Sequence, residues 1–166
     1  MTASIMALVA GLQAEQPQDR VNTAEKLARM AAAAQPAAVA LVKAMGDQHD
    51  EVKDWATAAL EELGPPAEGD AKALAELLAD SQPDVAFWAA TLLGRLDAQG
   101  SAAVPALTAA LQNRQDLPVR QKIAWALGQI GDIGESRAAL EQAAKDADSR
   151  LSRLAQQALQ KFDGGK

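Results

Sequence analysis

The hydrophobic positions of residues 117–131 follow the spacing of one face of an α-helix. With Val119 as position zero, apolar residues follow at plus 4, 7, 8 and 11, namely Ile123, Ala126, Leu127 and Ile130. Steps of three and four residues place side chains on one side of a helix, so this stretch predicts a helix with one buried face. Gly128 and Gly131 come where the pattern runs out and predict the end of the helix.

The same pattern recurs along most of the chain. Its copies begin at Val52, Val85, Val119 and Leu151, and a degenerate copy begins earlier, at Asp19. The copies therefore follow one another with a period of about 33 residues, which is within the range of repeat proteins. Such a period is the signature of a solenoid, in which each unit buries its apolar face against its neighbours.

A second, weaker helix fills the rest of each period. It is marked by a pair of apolar residues at plus 22 and plus 26, one residue earlier in the last copy: Leu41 and Met45, Leu74 and Leu78, Leu107 and Leu111, Leu140 and Ala144. The repeat is therefore a helical hairpin.

The ends of the chain each carry half a hairpin. Residues 4–13 hold a second helix without a first, and residues 149–162 hold a first helix without a second. We therefore expect ten helices, namely four hairpins with an orphan helix at each end. They form a single solenoid over residues 1–163, with repeats that start near residues 19, 52, 85, 119 and 149, followed by a frayed tail at 164–166.

Residues Val119 to Asp132, VRQKIAWALGQIGD, resemble the first helix of a HEAT repeat, in particular the short HEAT-like repeats of the phycobilisome lyase type. Val52 and Lys53 keep the opening of that motif, and the segment 93–96 keeps its L-G-x-L end. The resemblance implies an all-α, right-handed solenoid. Tetratricopeptide and ankyrin repeats have similar periods, but the chain has no Tyr and lacks a T-P-L-H turn.

Composition narrows the class further. Hydrophobic residues make up 49% of the 166, which is enough for a continuous core, and aromatic residues only 3%, which favours close helix packing. The absence of cysteine excludes disulfides and thiolate chemistry and fits a cytoplasmic protein. Residues 4–13 are apolar, but no Lys or Arg precedes them and the run is too short to span a membrane, so no membrane association is expected.

The net charge of -6 is unevenly distributed. Residues 1–83 carry 6 Lys/Arg against 13 Asp/Glu, a net charge of -7, whereas residues 84–166 carry 10 against 9, a net charge of +1. Nucleic-acid binding depends on Lys and Arg that neutralise phosphates, so we expect no nucleic-acid partner.

No catalytic constellation is present. His49 is the single histidine, and no G-x-S-x-G motif exists to build a Ser-His-Asp triad. The acidic residues around His49 could be imagined as a metal cluster, but they lack EF-hand spacing. Helix capping explains carboxylates of this kind, and four lie just before the repeat anchors: Asp50, Asp84, Asp116 and Asp148. We expect neither metal nor cofactor.

A run of three glycines superficially resembles a phosphate-binding loop. Gly128, Gly131 and Gly134 have the spacing G-x-x-G-x-x-G, but they follow a helix rather than a strand and no Gly-Lys-Ser/Thr accompanies them. Helix termination is the better interpretation.

The three tryptophans divide into two groups. Trp55 and Trp88 occupy the plus 3 position of their repeats, at the flank of the apolar stripe, where an indole can pack against a neighbouring repeat. Trp125 lies at plus 6, further from the stripe, and should be partly exposed. Since Trp is frequent among residues that dominate interfaces, Trp125 is a candidate partner-binding residue.

In HEAT-like solenoids the second helices line the concave face, where partners bind. The resemblance therefore implies a smooth, partly apolar groove whose candidate residues are Val39, Val42, Lys43, Lys72, Glu76 and Thr108, with Trp125 in addition. An exposed apolar patch marks interaction sites. The alternative is that curvature of the solenoid buries these positions, and the sequence leaves both open.

The sequence favours a non-catalytic scaffold or adaptor, monomeric and cytoplasmic, that binds a partner protein or peptide on the concave face. One alternative implied by the family resemblance is a HEAT-like subunit of a chromophore (bilin) lyase. A nucleic-acid-binding repair protein is the third interpretation, and the charge balance argues against it.

Overall fold

A computed structural model describes residues 2–131 and 134–164, and in these residues the chain forms ten α-helices and no strand. The helices are α1 (Thr2–Gly11), α2 (Pro17–Ala28), α3 (Ala38–Ala44), α4 (Asp50–Glu62), α5 (Ala71–Leu77), α6 (Pro83–Arg95), α7 (Val104–Asn113), α8 (Leu117–Ile130), α9 (Arg137–Ala143) and α10 (Ser149–Asp163). The prediction of an all-α fold with ten helices is confirmed. Asp132 at the end of the HEAT-like motif, and residues 165–166 of the predicted tail, lie outside the described residues.

The chain divides into two compact units, Met1–Asp70 and Ala71–Lys166. The first unit contains α1 to α4 and the second contains α5 to α10. The boundary falls between the two helices of the repeat that starts near residue 52. A single solenoid over residues 1–163 stays a prediction.

The positions that the periodic pattern selects form a large part of the core of each unit. In α8 the anchor Val119 and its four apolar partners are at most 4% exposed. The leading residues of the four pairs in the second helices have no exposed surface: Leu41, Leu74, Leu107 and Leu140. Full burial of one such side chain contributes about 1.5–3 kcal/mol to the stability of the fold.

Each hairpin turns through one residue with a left-handed backbone. The φ angles are 47° at Ala31, 77° at Gly64, 49° at Asp97 and 79° at Gly131, and these positions recur with the period of the repeat. Gly131 ends α8 in this conformation, as its position predicted. Two short 3-10 segments, Ala31–Ala37 and Asp97–Ala103, begin at such a residue, and a third, Glu68–Asp70, follows Gly64.

The prediction that Gly128 ends a helix is wrong, because α8 continues to Ile130. Gly128 instead lets α10 approach closely, since a Cβ at this position would lie 3.1 Å from Cβ and 3.3 Å from Cα of Ala158. Gly94, at the equivalent position of α6, does the same for α8: its missing Cβ would overlap the Trp125 ring and lie 3.0 Å from Cα of Ala126.

The capping prediction holds for one of the four aspartates. The Asp148 carboxylate accepts a hydrogen bond of 2.7 Å from the backbone N–H of Leu151 at the start of α10. Asp116 occupies the N-cap position of α8 without a capping side-chain bond. Asp50 and Asp84 lie inside the first turns of α4 and α6, because those helices begin at residues 50 and 83. Their charges still favour the positive ends of the helices.

A different set of aspartates shapes the turns before the first helices. Asp47, Asp80 and Asp146 each accept a hydrogen bond from the backbone N–H two residues later, at 2.9, 2.8 and 3.0 Å. This is an Asx turn, which mimics a backbone turn. Together with Asn113 these residues recur once in every repeat, a signal that the apolar pattern does not contain.

In the first unit an arginine ties the Asp47 turn to the loop before α2. The Arg20 guanidinium donates to both oxygens of Asp47, from Nε at 2.6 Å and from Nη2 at 3.0 Å, and its Nη1 donates to the carbonyl of Ala14 at 2.9 Å. Both charged side chains are largely buried, with 16% and 10% exposed. In the second unit Arg120 pairs with Asp146 in the same way, at 3.0 Å. Arg and Asp side chains therefore join the loops of successive repeats.

The charge of Asp47 should make stability depend on pH. The hydrogen bond from Arg20 lowers the pKa of Asp47 in the native state, whereas in the unfolded chain it has its ordinary value of about 3.9. Its stabilisation is therefore complete above that value and is lost as the pH falls through the lower native pKa. In urea unfolding, Asp47→Asn, which keeps the acceptor oxygen, should be less stable than wild type at neutral pH, and the difference should shrink in acid. A difference that does not change with pH would contradict this, and Asp54→Asn, at an exposed position of α4, is the control.

The close approach at Gly94 should make this position intolerant of a methyl group. Overpacking costs about 1–3 kcal/mol, and Ala in a helix recovers about 0.5–1 kcal/mol, so Gly94→Ala should destabilise the protein by about 1–2 kcal/mol. Gly69→Ala is the matched control, because a Cβ there meets nothing within 4 Å. Chemical unfolding of both variants measures the effect. Equal stabilities would show that α6 and α8 tolerate a wider separation.

Candidate partner-binding groove

The predicted site residues of α3 do not share one surface. Val39 is partly exposed and Lys43 is exposed, but Val42 has no exposed surface. Ala38, Leu41, Val42 and Met45 follow helical spacing and form the buried face of this helix, so the expectation of an accessible Val42 is wrong. Lys43 borders a depression of about 220 Å³ together with Ala40 and Leu12.

The predicted residues on α5 and α7 face water in different ways. Lys72 and Glu76 are exposed and lie one turn apart on α5. Thr108 is partly buried, and its hydroxyl donates to the carbonyl of Val104, one turn earlier in α7, at 2.8 Å. Thr108 therefore satisfies its own polar group within its helix and offers less to a partner than the two charged residues.

Trp125 lies in a groove formed by the first helices of three repeats. We call this the Trp125 groove; it has a volume of about 450 Å³ and is lined by Phe87 of α6, by Pro118, Gln121, Lys122 and Trp125 of α8, and by Arg150 and Leu154 of α10. A second depression of about 240 Å³ shares Trp125 and Leu154 and follows α8 and α10 to Lys161. Together they form an elongated surface along two packed helices.

Packing fixes the orientation of Trp125. One edge of its indole lies against Gly94 of α6, and the residue as a whole is partly exposed, as its plus 6 position predicted. Trp88 is buried, with 9% exposed, and meets Phe87 edge to face at a centroid separation of 6.0 Å. Trp55 is partly exposed on α4. The indole of Trp125 thus combines contact between repeats with an accessible edge.

Lys122 is held between two aromatic rings. Its Nζ lies 4.9 Å from the ring centroid of Phe87 and 4.8 Å from that of Trp125, within the range of cation–π attraction. Burial lowers the pKa of Lys122, and repulsion from Arg150 and Arg95 lowers it further. The neighbouring cations therefore lie close enough to act on one another.

Sequence reasoning missed Phe87, Lys122 and Arg150 as site residues. A signal for Lys122 exists, because it occupies the plus 3 position that holds Trp55 and Trp88 in two other repeats. Leu154 occupies the same position in the last repeat. The groove is thus built from flanking positions of the first helices, whereas the prediction concentrated on the second helices.

The surroundings of His49 offer no metal site. His49 is exposed at the start of α4, Asp47 is paired with Arg20, and Asp50 is 2.7 Å from Lys53. Across residues 2–131 and 134–164, no group of three or more His, Asp or Glu side chains is arranged to hold a metal ion. In the same residues, every helix is too short or too polar to cross a bilayer.

Solved structures with the same fold include natural and designed repeat proteins. The complex of CpcE and CpcF of phycocyanin lyase from Nostoc sp. PCC7120 matches with a TM-score of 0.69 at 22% identity, over 96% of this chain and 65% of that one. A designed armadillo repeat protein in complex with the peptide (KR)4 matches with a TM-score of 0.68 at 19% identity, over 96% and 82% of the two chains. An engineered protein matches with a TM-score of 0.64 at 22% identity, over 95% and 80%. Identities this low show a common fold alone.

The helical hairpins and these likenesses define an α-solenoid of the HEAT and armadillo class. The family model of HEAT repeats matches residues 71–160, which is more than half of the chain. The protein therefore belongs to the HEAT repeat family. Among curated proteins, none matches this chain in sequence.

The electrostatics of the groove can be tested at Lys122. Since Arg150 contributes to the lowering of its pKa, Arg150→Gln should raise the pKa of Lys122 toward the ordinary lysine value. An NMR titration of the Lys122 side chain measures the change. Arg153→Gln, which removes a charge from an exposed position of the same helix, should leave it unaltered. Equal effects of the two variants would contradict a specific interaction with Arg150.

Proposed function

We propose that this protein is a non-catalytic scaffold or adaptor that binds a partner protein or peptide. The Trp125 groove carries the proposal, because it combines an accessible indole and a leucine with cationic side chains on a rigid pair of helices. Trp and Arg are enriched among the residues that contribute most to protein interfaces.

The lining of the groove suits binding better than catalysis. In the part of the chain that the structure describes, its side chains are aromatic, aliphatic, amide or cationic, and neither a histidine nor a carboxylate borders it. The described lining therefore lacks histidine, the most frequent general acid or base, and also lacks carboxylates. The side chains provide contact area and charge, which is what recognition of a peptide requires.

The proposal moves the partner from the second helices to the first helices of the second unit. The surface formed by the second helices has weaker support as a binding site, because Val42 is buried and the hydroxyl of Thr108 donates a hydrogen bond within α7. Lys43, Lys72 and Glu76 are exposed and stay candidates for additional contacts. We further propose a monomer that acts in the cytoplasm, consistent with a chain that has no cysteine.

The solved structures with the same fold support a role in binding but do not favour a particular ligand. The designed armadillo repeat protein holds a basic peptide, (KR)4, whereas the groove here is itself basic and would repel that peptide. The likeness to the phycocyanin lyase complex concerns the fold at 22% identity, and no residue of the groove extends it to chromophore chemistry. A net charge of -6 speaks against the repair alternative.

Affinity capture from the source lysate with a variant of the groove tests the proposal. Leu154 borders both depressions and is partly exposed, so Leu154→Ala should weaken capture of the partner about tenfold, equivalent to about 1.4 kcal/mol. Leu159→Ala alters a partly exposed leucine of the same helix that does not border the groove and should capture normally. The captured protein, once purified, should bind saturably in calorimetry.

Two results would overturn the proposal. One is that no protein binds the wild type saturably. The other is that Leu154→Ala and wild type capture the same protein equally well. A small chromophore captured without any protein would move the function to the lyase class.

A further inference from the structure

The Trp125 groove is a basic surface on an acidic chain. The unit Ala71–Lys166 carries 11 Lys/Arg and 11 Asp/Glu, so its net charge is zero, and the whole chain has a net charge of -6. Even so, Lys122 and Arg150 border the groove and Lys161 borders its continuation, and among residues 2–131 and 134–164 no acidic residue borders either depression. Three cationic side chains are therefore concentrated along this surface.

The carboxylates at the starts of α8 and α10 are engaged in other contacts. Asp148 accepts hydrogen bonds from the backbone N–H of Leu151 at 2.7 Å and from Gln121 at 2.9 Å, so it caps α10. Asp116 pairs with Arg114 at 2.8 Å. These carboxylates stabilise the beginnings of two helices and leave the cations of the groove to other partners.

The groove offers both cationic and apolar side chains to a ligand. The guanidinium of Arg150 can hold a carboxylate with two parallel hydrogen bonds, and the Lys122 ammonium is fixed between Phe87 and Trp125 with N–H donors to spare. Trp125 and Leu154 offer apolar contact between these charges and Lys161. A ligand that matches must carry carboxylates beside bulky apolar groups.

We propose that the Trp125 groove binds an acidic, apolar segment of the partner protein, in which Asp or Glu side chains alternate with Leu or aromatic residues. This inference rests on the proposed function and specifies the partner. The carboxylates bind Arg150, Lys122 and Lys161, and the apolar side chains contact Trp125 and Leu154. Charge complementarity also steers such a segment to the groove.

Nucleic acid is the less favourable anion for this groove. Affinity for a phosphate backbone depends on many cations in a row, and the groove with its continuation offers three. The unit Met1–Asp70 carries 5 Lys/Arg against 11 Asp/Glu, a net charge of -6, which repels a polyanion. A short acidic peptide avoids this repulsion because its few charges are matched locally.

The test uses synthetic probes with the full chain. A fluorescein-labelled peptide of about twelve residues, in which Glu alternates with Leu and Phe, is compared by anisotropy with analogues that carry Gln or Lys in place of every Glu. The Glu peptide should bind at least about tenfold tighter than the Gln peptide, a difference of about 1.4 kcal/mol, and should weaken as salt is added. The Lys peptide should not bind.

Variants assign the effect to the groove. Arg150→Gln should weaken binding of the Glu peptide about tenfold, whereas Arg153→Gln, at an exposed position of the same helix, should leave it unchanged. Arg150 is exposed, so its loss does not threaten folding. Lys122→Gln, with folding checked by circular dichroism, should weaken binding as well.

Several results would overturn the inference. They are equal binding of the Glu and Gln peptides, binding that Arg150→Gln does not alter, no binding of the Glu peptide, or tighter binding of a DNA oligonucleotide. A dimer in light scattering that Arg150→Gln dissociates, without binding of the Glu peptide, would assign the groove to a second copy of this chain. If one of these results is obtained while capture of a partner still depends on Leu154, the inference about the acidic segment fails but the proposed function stands. The failure of the inference can therefore be distinguished from the failure of the proposed function.

Discussion

Close approach of neighbouring first helices is the constraint on which the second unit depends. A helical hairpin cannot bury its apolar face alone, so α6, α8 and α10 must pack side by side. Gly94 and Gly128 make the short distances possible, because any Cβ at these positions would meet the next helix. The same contact seats the Trp125 ring against Gly94 and directs its other edge outward. Packing and the candidate binding surface therefore share one cause.

The surface of the groove follows from what flanks the apolar stripe. In the four copies that begin at residues 52, 85, 119 and 151 the positions inside the stripe are apolar, whereas the flanking plus 3 position varies between tryptophan, lysine and leucine. Where Lys122 replaces an indole, its ammonium lies between the rings of Phe87 and Trp125, and the cation is retained at low exposure by those rings. The fold supplies a regular support, and variation at a few flanking positions gives one stretch of it a distinct charge.

Periodicity was sufficient to predict the ten helices and their buried leucines, because both depend on local spacing. It was insufficient for Gly128, because a glycine near the end of a helical pattern can either end the helix or allow a neighbouring helix to pack closely. Only the position of Ala158 shows that close packing is the role of Gly128. Val42 was misplaced because the buried face of α3 is wider than the leucine pair indicates. The groove could not be predicted as a whole, since Phe87, Lys122 and Arg150 come from three repeats whose relative rotation the sequence does not state.

The regular spacing of the turn residues has an evolutionary consequence. Asp47, Asp80, Asn113 and Asp146 follow one another at equal intervals, one in each repeat, and Asn can form the same Asx turn as Asp. A recombination event that joined any two of the three aspartate positions would connect chemically equivalent turns and leave every helix intact. Duplication or loss of a block one repeat long could thus lengthen or shorten the ancestral gene without a broken hairpin. Arrays of this kind can change in size while their individual modules continue to fold.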